Sequence, residues 1–160
     1  MQLLCSQYRA RKLTGLLAFA FALCLVGCDQ ATKVEDLSST QITMPDGTIL
    51  TAQRMFDKVD LARGMMFRDA FTKDRGMLFV HQRPGLFPYW MYNAKVPLDI
   101  IWMDPDHQVV EIAADTPPCP SKKAPECPNF GGNRVARFVL ELNAGGAKQY
   151  GVTLGSTLKF

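Results

Sequence analysis

Residues 98–113 read Leu98-Asp99-Ile100-Ile101-Trp102-Met103-Asp104-Pro105-Asp106-His107-Gln108-Val109-Val110-Glu111-Ile112-Ala113. Two apolar runs of strand length flank a turn sequence, Asp-Pro-Asp-His, so the stretch predicts a hairpin of strands 98–104 and 108–113. Period-two alternation sets Leu98, Ile100 and Trp102 on one face of the first strand and Asp99, Ile101 and Met103 on the other. Both faces are apolar apart from Asp99, so this strand is expected to be covered on both sides. A carboxylate in such a place must be hydrogen-bonded or paired. Arg63, Arg68 and Arg75 are the candidate partners, each beside an apolar motif that must pack. Asp99 then either pairs with an arginine to fix a helix against the sheet, or belongs to a ligand site.

Outward from this hairpin, residues 76–80, 88–93 and 134–142 also read as short strands bounded by Gly, Pro, Asn and Asp. Upstream, Pro45-Asp46-Gly47 is a turn between runs 41–44 and 48–56. Asp57 caps an expected helix over 58–67, with Asp60 placing charge near its N-terminus and Leu61, Ala62, Met65 and Met66 facing inward. Gly64 disfavours a helix interior and is expected to serve close packing or an early end. Asn143 is the expected cap of a last helix over 144–150 that stops at Gly151, and residues 157–160 form a final strand able to close the sheet. Strands outnumber helices without regular βαβ alternation. The expected class is therefore α+β: a β-rich, mostly antiparallel curved sheet or partial barrel with two short helices, in one domain over 45–160.

The N-terminal end has another character. Residues 1–12 carry Arg9, Arg11 and Lys12 with no acid, and residues 13–26 are almost purely apolar, the layout of an export signal and too short a run to span a bilayer. It closes on Leu25-Val26-Gly27-Cys28, which resembles a bacterial lipobox, so residues 1–27 are expected to be cleaved and Cys28 to carry lipid. Several acyl chains anchor a protein stably without a span. Residues 28–44, small and polar, read as a flexible tether. The expected location is the periplasmic side of the cell envelope, with Asp29 pointing to the inner membrane.

Of five cysteines, Cys5 and Cys24 leave with the signal, and Cys28 is lipidated. Cys119 and Cys127 remain as a pair in an oxidising compartment, around a proline-rich loop that a disulfide would staple. A redox pair or a zinc site is the alternative, but Cys-x7-Cys lacks the spacing of either and only His81 and His107 are left to complete a zinc set. The net charge of +3 dissolves in the same way. Removing Arg9, Arg11 and Lys12 from 18 basic residues leaves 15, against 15 acidic ones, so the mature chain has no charge surplus for nucleic acid.

No motif for a nucleophile elbow, a zinc protease or a phosphate loop occurs, and no cofactor or metal is expected. Tyr89-Trp90-Met91-Tyr92-Asn93 concentrates three aromatics and an amide, with Trp90 and Tyr92 sharing a face. Such a strand is either core or a platform for a sugar or aromatic ligand. Glu141, ending the run Phe138-Val-Leu-Glu-Leu, is a further polar member of that cleft or a solvated strand end. The candidate cleft is thus Arg63, Arg68, Trp90, Asn93, Asp99 and Glu141. The expected activity is a non-catalytic ligand-binding or envelope-accessory module whose partner is a small molecule or an envelope protein. The alternative is a small hydrolase or transferase using Asp99 and Glu141 as an acid/base pair.

At Arg63-Gly-Met-Met-Phe-Arg68, Arg75-Gly-Met-Leu-Phe-Val80, Trp90-Met-Tyr-Asn93, Val96-Pro-Leu-Asp-Ile100 and Val139-Leu-Glu-Leu142 the chain resembles the bacterial and archaeal domain of unknown function 192 family. The resemblance covers about residues 49–160 and implies a compact β-rich α+β domain, often exported, with no established activity. Tyr92, where lysine is common, Ala94, where threonine is common, and His81, where an aromatic is usual, depart from the family pattern; if that Lys and Thr serve a ligand, the departures imply that it is lost or altered in this member.

Overall fold

The computed structural model describes residues 38–160; the signal segment and Cys28 lie outside the described residues. Strands β1 (Ser39–Thr43) and β2 (Ile49–Met55) form the first hairpin, in register from Thr43↔Ile49 to Ser39↔Gln53. Its turn is held by Asp46, whose carboxylate accepts from the backbone N and Oγ1 of Thr48, both at 2.9 Å. Residues 39–43, assigned to the tether by composition, are therefore part of the sheet. Helix α1 (Lys58–Arg63) starts where expected, with Asp57 Oδ1 accepting from the N–H groups of Val59 and Asp60 at 2.9 and 2.8 Å. It ends four residues earlier than the apolar spacing predicts, because Gly64 leaves helical geometry at φ 45° and ψ −126°.

Strand β3 (Arg75–Gly85) lies parallel to β2, the one parallel pair of the sheet, since α1 and its following loop form a crossover between them. The remaining pairs are antiparallel: β3 with β8 (Ala136–Asn143), β8 with β5 (Leu98–Met103), and β5 with β6 (Val109–Thr116). The order is β1-β2-β3-β8-β5-β6, and β4 (Tyr89–Trp90) pairs with β7 (Asn129–Phe130) in a separate ribbon. The expected final strand appears only as single bridges, Thr157 to Gln108 and Lys159 to Thr43. The tail thus runs between the two edges of an open, mixed, mostly antiparallel sheet. The 104–107 turn is as expected, with Asp104 Oδ1 accepting from Asp106 N and Gln108 N, both at 2.9 Å. Cys119 and Cys127 are joined in a disulfide, with Cα atoms 5.5 Å apart.

Alternation along the central strands divides the core in two. Ile101, Met103, Leu78 and Leu140 pack on one face beneath helix α2 (Gly146–Gln149) and the C-terminal tail. Leu98, Ile100, Trp102, Met77, Phe79 and Val139 pack on the other with Met65, Met91 and the partly buried Leu61. The candidate site lies on this second face.

Candidate functional site

Glu141 stands opposite Ile100 of β5 and Met77 of β3. Directly paired residues present their side chains to the same face, so its carboxyl enters the second core layer. It is only 4% exposed, and its Oε2 is the single buried side-chain N or O atom without a hydrogen-bond partner among the described residues. Burial pushes its pKa up to about 8, with the positive charge of Arg68 opposing the rise. The group is therefore mostly neutral at pH 7.

A cavity of about 30 Å³ opens beside this carboxyl, lined by the end of α1 and its following turn (Leu61 to Met66), by Phe79 and Leu98, and by Tyr89 to Tyr92. Gly64 allows the turn to close over the site: a Cβ there would lie 3.1 Å from the Phe79 ring and 3.8 Å from Glu141 Oε2. The aromatic wall is itself organised. Trp90 and Tyr92 have ring centres 5.5 Å apart, while Tyr89 stands edge-on to Phe79 at 5.1 Å and to Trp102 at 5.9 Å. Tyr89 Oη is 3.2 Å from His81 Nε2, and burial, reinforced by the nearby Glu141, holds its hydroxyl well above the usual range for tyrosine. Burial lowers the His81 pKa. Behind Tyr89 and Trp90 a second recess of about 210 Å³ is bounded by Leu61, His81, Leu86 and Phe87.

Of the six sequence candidates, Arg63, Trp90 and Glu141 meet at this pocket. Arg68 does not: its Nη1 donates to Gln53 Oε1 at 2.8 Å in a neighbouring groove that Arg75 also lines. Asn93 acts through its backbone, in the left-handed region at φ 53°, with its carbonyl accepting from Phe67 N at 2.9 Å. Asp99 is on the far side of the sheet, since it pairs with Leu142 and not with Glu141.

Asp99 corrects one expectation in particular. It is 1% exposed, as the alternation requires, but its partners are backbone amides instead of an arginine: Oδ1 accepts from Asp115 N and Oδ2 from Ala147 N, both at 2.8 Å. Ala147 N is a donor of the first turn of α2, which the capping expectation gave to Asn143. Asn143 instead clamps Phe71, accepting from its N–H at 2.9 Å and donating to its carbonyl at 2.8 Å. With Asp99 and Glu141 on opposite faces, the acid/base pair of the hydrolase alternative does not form. Tyr89 is the pocket residue that strict alternation assigned to the other face. Strand β4 is only Tyr89–Trp90, and the pocket is lined by the whole run Tyr89 to Tyr92, so a two-residue period does not sort these side chains. Among the described residues no three His, Cys, Asp or Glu side chains cluster as metal ligands do.

The family model for DUF192, described as an uncharacterized ACR, matches residues 41–160. The chain belongs to the DUF192 family. Two crystal structures share this architecture. One is a Sinorhizobium meliloti 1021 protein described as a candidate transcription regulator, 27% identical, with 74% of this chain and 89% of that one covered at a TM-score of 0.64. The other is a Novosphingobium aromaticivorans DSM 12444 protein of unknown function, 26% identical, with 76% and 85% covered at a TM-score of 0.65. No curated protein matches the chain. The DUF192 match contains the α1 turn, β4 and β8, so all the walls of the Glu141 pocket lie within the family domain.

Proposed function

We propose that this DUF192 protein is an exported lipoprotein, anchored through Cys28 at the periplasmic side of the envelope, whose domain is a non-catalytic binding module. The observation that carries the binding reading is the unpartnered Oε2 of Glu141 at an aromatic-walled pocket. Leaving a buried polar atom unsatisfied costs about 1–3 kcal/mol, a cost that a ligand bonding to it recovers. The surrounding rings offer flat apolar area, and a convergent polar group in such a pocket fixes the orientation of what enters. Nucleic-acid binding, which the description of the Sinorhizobium meliloti protein would suggest, gains no support from charge, since bases and acids balance after Cys28.

A thermal-shift screen of the intact protein with small sugars and amino acids tests the binding reading. A compound that stabilises the wild type is expected to lose its effect in Glu141→Gln and in Trp90→Ala. A shift of equal size in both variants places binding elsewhere and defeats the assignment. The anchor is tested by labelled palmitate, expected in the wild type and absent from Cys28→Ser; label retained in that variant ends the lipoprotein reading.

A further inference from the structure

We infer that the Glu141 pocket takes a small alkyl ammonium group, with the Glu141 carboxylate as its counter-ion and Tyr89, Trp90 and Tyr92 as its aromatic wall. The inference rests on reading this pocket as a binding site and adds the class of ligand.

Size is the first argument. A water needs about 10–15 Å³ of such volume, so the inner space of about 30 Å³ admits a head group of one or two heavy atoms, and the rest of a larger ligand must lie in the open mouth. Chemistry is the second. Aromatic faces attract cations, most strongly where water is excluded, and here aromatic rings stand beside an acceptor, Glu141 Oε2, that no group among the described residues satisfies. An ammonium supplies three donors and a charge; its alkyl stem can lie along the half-exposed Trp90.

The charges around the site permit this. Arg68, after α1, acts on Glu141, Glu141 acts on Tyr89 of β4, and Arg63 lines the mouth; β5 presents Ile100 and β3 presents Met77, Phe79 and, next on that face, His81, which bonds Tyr89 and whose pKa burial lowers. Neither arginine bonds the carboxyl. Arg63 lies in the field of Asp57 and Asp60, and Arg68 acts on Asp60 while its guanidinium holds Gln53. The carboxyl, held up to about 8 by burial, must release its proton to pair with a cation. An aliphatic ammonium stays charged to about pH 10, so binding must strengthen as pH rises.

Titration calorimetry with n-butylammonium chloride and with 1-butanol, on the intact protein between pH 6 and 8.5, decides the matter. The expected result is an n-butylammonium affinity that rises about tenfold per pH unit up to about pH 7.5 and levels off above the Glu141 pKa of about 8. Butanol should bind at least about tenfold more weakly at pH 8.5. Glu141→Gln should lose both the affinity and the pH dependence, and Trp90→Ala should weaken binding several-fold with the pH profile unchanged. Equal binding of the alcohol, pH-independent binding of the amine, or no amine binding at pH 8.5 overturns the ammonium assignment. If sugars or amino acids still shift the wild type and not Glu141→Gln, the binding module stands with another ligand. If no compound does, both readings fall.

Discussion

Asp99 and Glu141 are buried carboxyls on neighbouring strands, one register step apart, and each faces a different side of the same sheet. Asp99 accepts two backbone N–H bonds and ties the first turn of α2 and the end of β6 to the central strand. Glu141 has an oxygen with no partner, and its face opens to a cavity. Burial alone therefore does not distinguish a carboxyl that the protein satisfies from one that it leaves open. What distinguishes them is whether the protein supplies the donors, because an ionised oxygen taken out of water is stable only where N–H groups or cations replace the water.

The sharpest test of this contrast is to remove each carboxyl. Asp99→Ala removes two hydrogen bonds to a carboxylate and leaves the buried amide of Ala147 without an acceptor, and the expected loss is about 3–4 kcal/mol in urea denaturation at pH 7. An Asp99→Ala protein as stable as the wild type would break the comparison at its structural end.

Glu141→Gln should act in the opposite direction. A folded-state pKa of about 8 against the ordinary glutamate value of 4.5 means that the native state holds a proton the unfolded chain releases. Its contribution to stability is present in full below about pH 4.5 and is lost as pH rises through about 8. The wild type should therefore lose on the order of 3 kcal/mol, relative to Glu141→Gln, between pH 5 and 8. Parallel pH–stability curves for the two proteins would show that the carboxyl is solvated or paired.

The disulfide loop gives a third, smaller difference between the faces. Cys119 N donates to the Met91 carbonyl at 3.0 Å and Tyr92 Oη to the Lys122 carbonyl at 3.2 Å, so the loop braces two residues of the pocket wall. A Cys119→Ser, Cys127→Ser double variant should lose about 2.5 kcal/mol, by the loop-closure estimate, in chemical denaturation. Amide exchange should accelerate around Met91 and Tyr92 and stay unchanged at Ala147. Acceleration at Ala147 as well would show that the two faces are not independent. The smallest effect is expected of Trp90→Ala, below about 1 kcal/mol because the ring is 40% exposed. A larger loss would make Trp90 a core residue instead of a pocket wall.

Much of this organisation was legible in the residues. The Asp-Pro-Asp-His turn, the Pro-Asp-Gly turn, the Asp57 cap and the early end at Gly64 are local, set by side chains bonding within a few residues or by the freedom of glycine. The burial of Asp99 was legible too, since both faces of its strand are apolar. Its partners were not, because the donors are backbone amides 16 and 48 residues away and every residue type carries one. The arginine expectation arose from side chains alone, the only donors whose identity a sequence displays.

Glu141 shows the other limit. Alternation in the run 138–142 places it opposite in face to Leu140 and Leu142, but whether it shares a face with Asp99 depends on how β8 registers against β5. A shift of one residue would exchange the two faces. By itself the sequence determined the turns, the Asp57 cap, the apolar stripes and the pairing of two cysteines, all features of nearest neighbours or of a short period. Only the tertiary structure decided which carboxyl received the donors of α2 and which was left beside the aromatic wall. That outcome depends on strand register and on backbone groups brought together across the sheet, and no local residue pattern encodes either.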